Sequence, residues 1–85
     1  MFLHIGSDVV VPVREVIAIL DAELLERSQA VRDLVSLLQA ERRVTDIAGG
    51  RPRSIVLTDR GAFLSPISTL TLRRRGALIQ EQGGT

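Results

Sequence analysis

Apolar positions along this chain come as short runs bounded by turn residues, with one longer stretch at helical spacing. "FLHI" (2–5) and "VVVPV" (9–13) flank "GSD", which predicts a strand pair joined by a turn. Pro12 has no N–H for a ladder and belongs at the end or edge of its strand. The polar pair Arg14-Glu15 reads as a bend or bulge, and "VIAIL" (16–20) beyond it as a buried strand. "DAELLERS" is compatible with either a loop or an extra helical turn. Ser28 is a candidate N-cap, after which Val31, Leu34, Val35 and Leu38 recur at i, i+3, i+4 and i+7. This predicts an amphipathic helix over 29–42, with Leu34 and Leu38 on the core side and Arg32, Asp33, Ser36 and Gln39 on other faces. "VTDIA" (44–48) reads as a strand stopped by Gly49-Gly50. "SIVLT" (54–58) and "AFLS" (62–65) flank Asp59-Arg60-Gly61, a hairpin whose glycine supplies a positive φ. In "STLTLRRRG" (68–76), Leu70 and Leu72 alternate as in a strand, but Ser68 as cap and Gly76 as stop frame a short helix, which is the expectation adopted.

The order β-β-β-α-β-β-β-α predicts an α+β fold: a small, mostly antiparallel sheet with one central amphipathic helix and a short C-terminal helix. Residues 1–76 are expected to form a single domain and 77–85 a flexible tail. A chain of 85 residues makes one domain with no deep cleft of its own. Without cysteine there is neither a disulfide nor a thiolate metal cage. "MFLHIGSD" lacks a basic n-region and no apolar run reaches the length of a membrane span, so a soluble, cytoplasmic protein away from membranes is expected. His4 is the one histidine and sits in an apolar run, where a structural role is expected. No Ser/His/acid set, phosphate-cradling loop or metal spacing occurs. The expectation is therefore no catalysis, no cofactor, no metal and no small-molecule substrate.

Charge changes the picture. All eleven cationic residues are arginine, and they are unevenly placed. Residues 1–41 carry three arginines against seven acids, whereas 42–75 carry eight against two. Such a split points to a polyanionic partner or to protomers that complement one another. "GGRPRS" sets Arg51 and Arg53 on what reads as a hairpin tip between two strands, stiffened by Pro52 and opened by its glycines to close backbone approach. Two guanidinium groups there can fork onto phosphate oxygens or guanine edges. Arg42 and Arg43, like Arg73, Arg74 and Arg75, follow helical stretches and are accounted for by the helix dipole. The two phenylalanines, Phe2 and Phe63, lie away from these cations in strands, which favours duplex recognition over stacking on single-stranded bases.

"MFLHIGSDVVVPVREVIAILD", "VRDL", "RPRSIVLTD" and "FLSPISTLTLRRR" together resemble the Rem family of bacterial DNA-binding regulators of extracellular-matrix and biofilm genes, from Met1 to about Arg75. The resemblance implies a strand-rich, LytTR-like fold assembled into a ring-like homo-oligomer that binds double-stranded DNA and regulates transcription. It also implies an arginine opening the third strand and an arginine pair before the fifth, which here are Arg14 and the pair Arg51 and Arg53. Pro52 inside that pair and the triplet 73–75 depart from the family pattern. The candidate DNA contacts are thus Arg14, Arg51, Arg53, Arg73, Arg74 and Arg75. The alternative is a structural or protein-interaction module joined through its acidic and basic halves, and a third reading is an RNA-binding accessory protein.

Overall fold

The computed structural model describes residues 1–83, with side-chain surroundings for 1–76. A hairpin comes first, β1 (Phe2–Gly6) and β2 (Val9–Pro12), followed by one 3-10 turn (Val13–Glu15) and β3 (Val16–Asp21). Then come α1 (Leu24–Arg27), α2 (Gln29–Ala40), β4 (Val44–Asp46), β5 (Ser54–Thr58), β6 (Gly61–Ser65) and α3 (Thr69–Gly83). The architecture is α+β, as the pattern predicts, but the strands divide into two sheets. β1 and β2 pair only with each other, and the other four lie in the order β3-β5-β6-β4. All neighbours are antiparallel except β4 and β6, which run parallel.

The four-stranded sheet is covered on both sides, and alternation along β5 sorts its side chains between them. Val56 joins Leu3, Ile5, Val11 and Leu72, so the β1–β2 hairpin and α3 close one face. Ile55 joins Val35 and Ala62, with Leu25, Val31 and Leu38 around them, so α1 and α2 close the other. The polar groups trapped between these layers are satisfied, which removes their desolvation cost. Ser65 Oγ donates to the Ile5 carbonyl (2.7 Å), tying the hairpin to β6, and Ser54 Oγ donates to the Ile67 carbonyl (2.7 Å).

Turn chemistry sets both hairpins. Ser7 and Asp8 hold positive φ (50° and 59°), the two-residue geometry that matches strand twist. Gly61 has φ 141°, and a Cβ there would collide with the Arg43 carbonyl, so no other residue fits that turn without displacement. Ser28 caps α2 as expected, its Oγ accepting from the Val31 N–H (3.2 Å). At the other end Arg42, at φ 59°, forms a Schellman stop: Arg43 N–H donates to the Leu38 carbonyl (2.8 Å) and Arg42 N–H to that of Gln39 (3.0 Å).

Several expectations need correction. "VIAIL" is not buried throughout, because β3 is an edge strand with a bulge between Val16 and Ala18 that turns Ile17 out at 69% exposure. The polar pair before it lies in the 3-10 turn. Leu34 lies on the flank of α2, since Val31, Val35 and Leu38 at i, i+4 and i+7 take the sheet-facing stripe. Arg32 is half-buried and structural: Nη1 donates to the carbonyls of Leu25 (3.2 Å) and Glu26 (2.8 Å), joining α1 to α2. Ser68 caps α3 through the Thr71 N–H (3.2 Å), but the helix passes through Gly76 and runs to Gly83. Residues 84 and 85, the end of the tail expected over 77–85, lie outside the described residues.

Candidate nucleic-acid interface

The segment 47–53 is no hairpin tip. β4 and β5 are separated by β6, so the chain leaves β4 and crosses the end of β6 to enter the middle of the sheet. Its backbone is held at almost every step. Ile47 N–H donates to the Leu64 carbonyl (3.0 Å), continuing the parallel ladder, and the Ile47 carbonyl accepts from Ser7 Oγ (3.0 Å). The Asp46 carboxylate accepts from the N–H groups of Ala48 (2.8 Å) and Gly50 (2.9 Å), folding the loop over its own side chain. Gly49 and Gly50 both hold positive φ (64° and 84°), with open space where a side chain would stand. At the exit, Arg53 N–H donates to the Ser65 carbonyl (2.8 Å) and its own carbonyl accepts from Ala22 (3.2 Å).

Arg51 and Arg53 therefore project from a fixed backbone while their side chains stay exposed. Among the described residues neither guanidinium has an ion-pair or hydrogen-bond partner. Beside Arg53 a cleft of about 420 Å³ is lined by Asp21, Glu23 and Glu26 together with Pro52, Ser68 and Thr69. The polyanion-facing charge of this end is thus carried on the loop, with carboxylates to one side of it.

Arg14 lies elsewhere. It sits on the 3-10 turn before β3, and β3 runs antiparallel to β5 with Val16 opposite Thr58 and Asp21 opposite Ser54. Within one protomer Arg14 is therefore at the far end of the sheet from Arg53, roughly 15 Å away by strand rise alone. The triplet is divided by helical geometry. Arg75 Nη1 donates to the His4 carbonyl (2.8 Å), and Arg73 Nη2 approaches the Ile19 carbonyl at 3.5 Å, the limit of a hydrogen bond. Arg74 is exposed, with no partner among the described residues. One protomer thus unites Arg51 with Arg53 but brings together neither Arg14 nor the triplet with them.

The sequence reading passed over the arginines around the β5–β6 turn. Arg43 does not serve the dipole of α2: its Nε donates to the Arg60 carbonyl (3.2 Å) and its Nη2 to that of Asp59 (3.2 Å). Arg60 Nε meets Glu15 at 3.2 Å, and Asp59 N–H donates to the Glu15 carbonyl (3.1 Å). The one legible signal was the pair of turns, at Arg42 and at Asp59-Arg60; that they meet in space is tertiary information. Among the described residues no helix is long and apolar enough to cross a membrane, and no three metal-capable side chains cluster.

Comparison with known proteins agrees with the resemblance read from the sequence. A family model described as extracellular matrix regulatory protein A-like matches residues 2–75. Extracellular matrix regulatory protein B of Bacillus subtilis (strain 168) is 32% identical over 81 residues, covering 95% of this chain and 96% of that protein. With the match spanning every described strand and the start of α3, the chain belongs to the RemA-like family.

Proposed function

We propose that the chain is a non-catalytic, DNA-binding regulator of transcription, acting as a ring-like homo-oligomer on genes of the extracellular matrix, with a LytTR-like fold. The regulatory role follows the printed descriptions of its family and relative. The observation that carries DNA binding is the loop 47–53: its backbone is pinned by Asp46, Ser7 and Ser65 while Arg51 and Arg53 are left without protein partners among the described residues. Ordering two flexible cationic side chains on a fixed base lowers the entropic cost of gripping phosphate. Arg14 and Arg74 are secondary contacts in this reading. Arg73 and Arg75, turned toward backbone carbonyls, contribute less.

A pair of phosphate contacts gives feeble affinity, and repetition around an oligomer multiplies it when several copies reach one duplex. The test is an anisotropy titration of duplex DNA over a salt series with wild type, Arg51→Ala and Arg53→Ala. Each variant is expected to stay folded and assembled, to bind at least tenfold more weakly, and to flatten the log–log salt slope by about 0.9 per lost contact. Equal affinities and slopes would leave the loop as a solvated turn and favour the protein-interaction alternative. Competition by RNA as strong as by DNA would favour the RNA-binding one.

A further inference from the structure

Two apolar surfaces remain uncovered, on opposite sides of the four-stranded sheet. The first is the outer face of the β1–β2 hairpin. Leu3 and Val11 face inward as a pair, which turns the neighbouring pairs Phe2–Pro12 and His4–Val10 outward. Phe2 is 63% exposed and Val10 52%. Beside them a groove of about 280 Å³ is lined by Met1, Phe2, Pro12, Val13 and Arg14, with Arg14 as its one charge. The second is the flank of α2, where Ala30, Leu34 and Leu37 at i, i+4 and i+7 form a stripe next to the buried one. Leu37 is 58% exposed, and Asp33 lies one turn before it.

We infer that the α2 flank of one copy seats in the hairpin groove of the next, so that a second copy of this chain occupies both surfaces. This rests on the homo-oligomer of the proposed function and says how it is joined. The shapes are complementary, a helical ridge against a groove, and so are the charges, Asp33 beside the ridge and Arg14 beside the groove. Two separate patches of this kind have no counterpart in a protein that works alone. Because the hairpin covers one face of the sheet and α2 the other, the contact is head-to-tail. Such a contact leaves one ridge and one groove unsatisfied after every addition, so assembly continues until a ring closes. Docking also places Arg14 at the seam between copies.

Sedimentation velocity tests this with wild type, Leu37→Asp and Phe2→Asp, all at exposed positions and checked for folding by circular dichroism. Wild type is expected to sediment as an oligomer and each variant as a monomer. Mixed in equal amounts, the two variants are expected to form a dimer and stop, because Phe2→Asp keeps an intact ridge and Leu37→Asp an intact groove. Variants that assemble like wild type would overturn the assigned surfaces while leaving the oligomeric reading in place. Monomeric variants that stay monomeric on mixing would overturn the head-to-tail pairing. Monomeric wild type would overturn this inference and the ring together. An oligomeric wild type that ignores duplex DNA would end the DNA-binding reading alone, leaving the interface to stand on the mixing result.

Discussion

The two ends of the four-stranded sheet both carry arginines and use them in opposite ways. At the β5–β6 turn the guanidinium groups face inward: Arg43 serves two backbone carbonyls and Arg60 meets Glu15. At the opposite end the backbone of 47–53 is held by other groups, and Arg51 and Arg53 are left over. The lesson is that arginine density does not locate a binding site. What locates it is a cation whose surroundings are already satisfied without it. A guanidinium bound to carbonyls must give up those bonds before it can reach phosphate, whereas Arg51 gives up only water.

The comparison can be broken most violently at Gly61. Gly61→Ala places a Cβ against the Arg43 carbonyl at φ 141°, and we expect a loss of about 3 kcal/mol or more in chemical denaturation, with the Arg43 and Arg60 contacts disrupted. A cost below about 1 kcal/mol would show the turn to be pliable and its arginines less committed. Next in size is Arg43→Ala, expected to cost roughly 1 to 3 kcal/mol by leaving the Asp59 and Arg60 carbonyls without their charged donor. Arg51→Ala should stay within about 0.5 kcal/mol of wild type in the same melt. If Arg43 and Arg51 variants melt alike, the division between structural and surplus arginines fails.

Asp46→Ala sharpens the other end. Removing an acid next to two arginines ought to strengthen DNA binding if charge alone matters. We expect weaker binding instead, along with a stability loss of about 1 to 2 kcal/mol, because Asp46 holds the loop that aims Arg51. Tighter binding by this variant would mean that the loop's geometry is irrelevant. The smallest effect is expected at Arg42. Its side chain lacks a partner among the described residues while its backbone holds φ 59°, so Arg42→Gly should gain about 0.5 to 1 kcal/mol in a thermal melt without altering DNA affinity.

Local chemistry made much of this legible in the sequence. β-branched runs marked the strands, Ser28 and Ser68 announced helix starts, and Asp59-Arg60-Gly61 marked its own turn. These signals act within a few residues. β4 was legible as a strand but not as the parallel neighbour of β6, because that pairing joins segments far apart in sequence. The hairpin reading of "GGRPRS" failed for the same reason. Leu34 met the helical spacing as well as Val31 and Leu38 did, and only the seating of α2 on the sheet decided which leucine stayed wet. In the candidate site, composition singled out Arg51 and Arg53, but nothing in their spacing could show that Arg43 and Arg60 were already engaged.

The parallel pairing of β4 also sets an order in time. β5 and β6 meet across a turn of a few residues, whereas β4 can find its register only on a β6 that already exists, so it is the last strand to dock and the first to leave. Being three residues long and at an edge, it belongs with the segments that open before the molecule as a whole unfolds. Asp46 ends that strand and holds the loop, so each opening of β4 would also release the aim of Arg51. Amide exchange at Val44–Asp46 should then be faster than in β5, and slowed by any partner that grips the loop.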